Sequence, residues 1–338
     1  MRSMVSVRPT STLALLLLPA AAWSQAAIGS PSVAVGPPAL GTFFDQARQR
    51  LQSLAGIPES GFRGDVMLLP AGVQTVEVSP AQDFVLAVQP EGGGLTMLHP
   101  GADSAKPVPG AQSAITRIAI SPAGTAAVVY SEASRRAQIL RGLPESPEIA
   151  QEFDWSGIPG KVTTLAVNDA GDFVLMAAQA SFSGLYAVSA STGAVMIYDA
   201  GSLPSIAFFR GSRQALVASP AESRVVLVRD SAGTPRPAIL ADAAAGVQSP
   251  RVVAASSSGD MAFVVDAPDS VLAIPLSGDM PSRVSCDCSA AHLLRLRGRD
   301  VFLLSDSAEA SLTVFDAGGP AIRAVRLRAV PTPAEGYR

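Results

Sequence analysis

The stretch "SPAQDFVLAV" at residues 79–88 joins a Ser-Pro pair and an aspartate to a run of five apolar residues. A serine close to an aspartate suits catalysis as well as it suits a turn. Its echoes favour the turn. "SPAGTAAVVY" stands at 121–130 and "NDAGDFVLMA" at 168–177. The polar residue that opens each apolar run falls at Asp83, Thr125, Asp172, Arg213, Asp260 and Asp300, with gaps of 42, 47, 41, 47 and 40 residues. A period of roughly 40–50 residues is that of a four-stranded propeller blade.

The internal order of the units agrees. In the third, "VTTLAVND" (162–169) reads as a first strand and Ala170-Gly171 as a turn. "DFVLMAAQ", "GLYAVSAS" and "AVMIYDAG" then supply the second, third and outer strands. The second strands are nearly continuous apolar runs, as expected for strands buried on both faces. The fold expected is therefore all-β, a β-propeller of about six four-stranded blades. Closure leaves seven, with one blade reduced, as the alternative. "DVMLLPAGV" (65–73) stands where a sealing outer strand would stand, yet "AIRAVRLRAV" (321–330) already supplies the last blade with its own.

These phrases carry a family resemblance. "SPAG" before an apolar strand is similar to the turn-and-strand phrase of secreted bacterial propellers of the YVTN and TolB-like WD40 repeat type. The stretch 191–233, with "QALVASPAESRVVLVRD" at its centre, looks especially like a YVTN repeat. The resemblance covers about 73–331. No Gly-His or Trp-Asp pair marks any blade, unlike the eukaryotic WD40 pattern.

The N-terminus reads differently. Arg2 and Arg8, the apolar run Leu13–Ala22 and the small residues of Ser24-Gln25-Ala26 make a secretory signal over 1–26. Its apolar run falls short of the roughly 20 residues of a spanning helix, so no membrane span is expected after cleavage. An exported, periplasmic or extracellular protein is expected. Residues 27–61 read as a Pro/Gly-rich linker followed by an amphipathic helix, with Phe43, Phe44, Ala47, Leu51 and Leu54 on one helical face. Thr42 with Asp45 would cap its start, and Gly56 with Pro58 would stop it. The propeller domain is assigned to 62–338.

Composition excludes several functions. Loss of Arg2 and Arg8 moves the formal charge from −3 to −5, and Lys106 and Lys161 are the only lysines. A basic face for nucleic acid is missing. His99 and His292 are the only histidines and do not cluster; no H-E-x-x-H, G-x-S-x-G, P-loop or calcium-loop pattern occurs. Trp155 is the only tryptophan beyond the signal, against the repeated Trp motif of quinone-dependent propellers. No cofactor, metal set or catalytic residue is indicated.

The expected function is a non-enzymatic binding or scaffolding module for protein partners. A propeller hydrolase or lactonase, or a structural cell-surface repeat protein, is the alternative. Candidate binding residues lie in second-to-third strand loops and on outer strands. They are Arg135 and Arg136, the aromatic pair Phe153 and Trp155, and the acidic pair Asp266 and Asp269. Cys286 and Cys288, in "SCDCS", are candidates for a local disulfide, since paired cysteines in an exported protein are usually oxidised.

Overall fold

The repeated phrase is a turn with one backbone conformation. Ser79, Asn168 and Ser256 each begin it, and their N–H groups donate across it to the carbonyls of Phe84, Phe173 and Met261 at 2.9, 3.1 and 2.9 Å. Their side-chain oxygens accept the N–H groups of the residues that open the next strand: Asp83 and Phe84, Asp172 and Phe173, Asp260 and Met261. The three aspartates accept in return from Ser79, Asn168 and Ser256 at 2.6, 2.7 and 2.9 Å. The turn needs a left-handed residue, and glycine fills that place at Gly124, Gly171, Gly211 and Gly259, with φ between 63° and 77°. Blade two puts a side chain there, Gln82 at φ 61°, and in the turn of blade seven Asp300 takes the left-handed conformation at φ 54°.

The computed structural model describes residues 38–327, except 47, 70–71, 74, 90–93, 101–103, 181–182, 232, 268, 287–289 and 306–311. The expected signal and most of the linker lie outside these residues. Seven antiparallel sheets follow one another along the chain. Blade one has three strands, Ala39–Asp45, Arg50–Ala55 and Phe62–Leu68. Blades two to seven have four each and begin at Thr75–Val78, Arg117–Ile120, Lys161–Val167, Ser205–Phe208, Pro250–Ala255 and Ala290–Arg295. Within each sheet the strands pair in sequence order, so every blade is one contiguous meander.

Seven clusters of buried side chains close the ring, each formed by two neighbouring blades. Between blades four and five, Leu175 and Ala177 meet Ala215 and Val217, all fully buried. Second strands such as Val85–Val88 and Ala215–Ser219 are buried at every position because a neighbouring blade covers each face. Outer strands are wetter: Glu148–Asp154 alternates, and most of Gly193–Ala200 is exposed.

Two expectations are corrected. The blade count is the seven of the alternative rather than the preferred six, with the first blade reduced to three strands among the described residues. Residues 65–68 end the third strand of blade one, and Arg323–Leu327 is the fourth strand of blade seven, so the two segments never compete for one edge. The amphipathic helix expected over 42–58 is replaced by the first two strands of blade one, Ala39–Asp45 and Arg50–Ala55; Ala47 lies outside the described residues. The physical reason is burial on both faces. Phe43 and Leu54 pack toward blade seven, Phe44 and Leu51 toward blade two. A strand apolar on both sides lacks period-two alternation and mimics a helical face. Asp45 caps the turn, accepting the Arg48 N–H at 3.1 Å and pairing with its guanidinium at 2.9 Å.

Candidate functional site

The candidate residues from the loops are largely engaged within the fold. Arg135 donates to the carbonyls of Gly160, Trp155 and Ile158, tying the end of blade three to the start of blade four. Trp155 is 1% exposed and stacks on Tyr130, with ring centroids 5.4 Å apart. Phe153 is half-buried beside the same cluster, so the structure brings Arg135, Phe153 and Trp155 together as packing around one crossover. Arg136 pairs with Glu152 at 2.6 Å on the blade's outer side. Asp266 is buried and accepts from the N–H groups of Gln248 and Ser249 and from Arg283. Asp269 is exposed, and its carbonyl accepts the Cys286 N–H at 2.9 Å. Cys286 is buried and disulfide-bonded, while Cys288 lies outside the described residues.

Sequence reasoning missed the centre of the ring. The first strands of blades two to seven wall a channel of about 540 Å³, and none of the described residues of blade one lines it. Blade one is a wedge between blades seven and two. Aligning the repeats on their turns sets Glu77, Ala119, Ala166, Ala207, Ala254 and Leu294 in register, and all six face the channel. The layer is therefore four alanines, a leucine and one glutamate. The next layer inward is wholly aliphatic: Val76 is half-buried against blade one, and Ile118, Leu165, Ile206, Val253 and Leu293 line the channel. The same alignment was open to the sequence, since an acid stands alone in an aliphatic column.

Glu77 has no hydrogen-bond or ion-pair partner among the described residues. Desolvation inside the ring pushes its carboxyl up to about 7. The channel extends among the first-to-second strand turns, opposite the loops expected to bind. Arg210, Arg295 and Arg297 stand there. Arg295 lies over the Phe302 ring at 4.6 Å, pairs with Asp300 at 3.2 Å and donates to Ala255 O. Burial and the nearby Arg210 charge hold it below the usual guanidinium value. Arg210 and Arg297 are exposed and unpaired with any acid among the described residues; Arg297 donates to Gln82 O at 3.2 Å. Asp169 sits in the same ring of turns, its oxygens taken by the N–H groups of Ala123 and Gly211, both at 2.6 Å.

Among the described residues, no three His, Cys, Asp or Glu side chains converge as a metal set, and no helix is long and apolar enough to cross a membrane. Among the described residues, no second acid or histidine lines the channel with Glu77.

No family model matches the chain, and no curated protein matches its sequence. Solved structures do. A functionally unknown protein from Desulfotomaculum acetoxidans DSM 771 is similar at 14% identity, over 86% of this chain and 99% of that one, with a TM-score of 0.57. Apo AztD from Citrobacter koseri is similar at 12% identity, over 86% of this chain and 81% of that one, with a TM-score of 0.58. At these identities the likeness is one of fold.

Proposed function

We propose that this propeller is an exported binding or scaffolding module, working in the periplasm or outside the cell, rather than an enzyme. The observation that carries the reading is the channel wall: alanines and aliphatic residues surround a single carboxyl that has no catalytic partner. Hydrolysis of a lactone or ester needs a positioned base and an activated nucleophile or metal water, and the described residues of the channel bring none together. The secretory pattern at 1–26 supports export. The repeated turn phrases support kinship with secreted YVTN and TolB-like propellers. Protein partners are the expected ligands of such a surface.

The test fractionates the native cells and cross-links the protein in place. Recovery in the exported fraction, joined reproducibly to one partner and inert toward lactones and esters, is the expected result. Turnover of those substrates with no cross-linked partner would overturn it.

A further inference from the structure

We propose that the central channel is a binding site for an amphipathic organic anion, with its apolar body inside the ring of first strands and its charged group held by Arg210 and Arg297. The site rests on the channel's own lining, and its test is independent of the test of the binding-module reading.

Three observations meet here. The channel's volume of about 540 Å³ falls in the roughly 300–1,000 Å³ range of small-molecule sites. Ile118, Leu165, Ile206 and Phe208 give it walls suited to a hydrocarbon or ring system. Its mouth carries two exposed guanidinium groups without a carboxylate partner among the described residues, beside a third whose own pairing is with Asp300. Positive charge at the mouth of a channel with aliphatic walls attracts an anion and opposes an ammonium. Arg295 already feels repulsion from Arg210, which a bound anion would relieve.

Glu77 completes the site. A half-buried carboxyl that the ring desolvates, with no partner among the described residues, is costly to ionise unless it finds one. As the neutral acid it donates a hydrogen bond to a polar atom of the ligand; ionised, it repels the ligand's charge. No other charge disturbs this balance at close range. The second strand of its own blade, Val85–Val88, carries none. Of the elements around it, Asp45 in blade one is paired with Arg48, and Arg117 in blade three donates to Val162 O. His292 in blade seven and Lys161 and Arg251 across the channel are exposed. Arg210, Arg295 and Arg297 stand at the mouth.

The experiment titrates the purified protein by calorimetry with decanoate, decylammonium and decanol. Decanoate should bind most tightly, with decylammonium at least about tenfold weaker. Between about pH 6 and about pH 8 the protonated fraction of Glu77 falls roughly tenfold, and decanoate affinity should fall with it. Glu77→Gln should bind decanoate at both values and lose the pH dependence. Arg210→Ser with Arg297→Ser, both on the surface, should weaken decanoate several-fold and leave decanol unchanged. Equal binding of the three probes, pH dependence that survives Glu77→Gln, or indifference to the arginine changes would each overturn the proposal. If Glu77→Gln fails to fold, the arginine pair still decides it.

Discussion

Gln82 and Arg295 stand 213 residues apart, and the Gln82 side chain donates to the Arg295 carbonyl at 2.6 Å. Its carbonyl oxygen accepts the Thr42 N–H, also at 2.6 Å. One side chain from blade two therefore holds both blade one and blade seven. Among the described residues no sheet contains strands from both ends of the chain, so closure rests on side chains together with the backbone bond from the Arg297 N–H to the Leu40 carbonyl at 2.7 Å. This explains why the turn of blade two keeps a glutamine in a left-handed conformation that four of its sister turns give to glycine.

Gln82→Ala should therefore lose both bonds and retain the backbone strain. Urea unfolding is expected to show a loss of about 2–4 kcal/mol, two buried bonds at about 1–2 each. Gln82→Gly loses the same bonds but relieves the strained φ, and should recover about 1 kcal/mol. Equal stability of wild type and both variants would show that the bridge closes nothing.

Blade one gives a second check. Leu54 is fully buried between blades one and seven, whereas Ile57 is 51% exposed in the following turn. Leu54→Ala should cost about 2–5 kcal/mol, and Ile57→Ala within about 0.5. Thermal melts of the two variants measure this. Similar small effects at both positions would fit a segment lying loosely on the surface.

Asp266 separates a structural from a recognition role. It is buried, and its oxygens meet the N–H groups of Gln248 and Ser249 and the Arg283 guanidinium at 2.6–2.9 Å. Asp266→Ala leaves Arg283 without its carboxylate and should destabilise the fold by about 3–5 kcal/mol. Denaturant titration distinguishes this from a residue that contacts only a partner, whose loss would leave the unfolding midpoint unchanged.

Glu77 makes stability depend on pH in the direction opposite to a salt-bridged acid. Its ordinary value of 4.5 rises to about 7 in the fold. Below 4.5 the carboxyl is protonated in both folded and unfolded chains and contributes nothing. Above it the unfolded chain releases the proton first, so the folded state loses stability as pH rises, by up to about 3 kcal/mol once pH exceeds the folded value. Glu77→Gln should match wild type near pH 4.5 and be more stable at about pH 8. A wild-type stability that gains nothing from this substitution at about pH 8 would contradict it.

The fold was legible because its repeated unit writes its turn chemistry into the chain. Ser79 with Asp83, Asn168 with Asp172 and Ser256 with Asp260 are local hydrogen-bonding pairs, four residues apart, and each precedes a strand buried on both faces. Blade one lacked such a phrase. Its apolar residues serve two neighbouring blades, and Phe43 beside Phe44 reads equally well as one helical face. The aspartates of the repeat belong to the turns, as their positions suggested. The channel layer escaped attention because Glu77 is a single acid in a short strand, meaningful only when set beside Ala119, Ala166, Ala207 and Ala254 from distant parts of the chain. Trp155 is a candidate binding residue in the sequence, and its position beside an outer strand does not reveal that its indole stacks on Tyr130 under the crossover between blades three and four.

The most direct test of the site is the titration of Glu77 itself, followed by its side-chain carboxyl carbon resonance and assigned by its disappearance in Glu77→Gln. A solitary carboxyl inside an apolar ring should titrate near 7. A midpoint at the ordinary 4.5 would place the side chain in water and contradict the account.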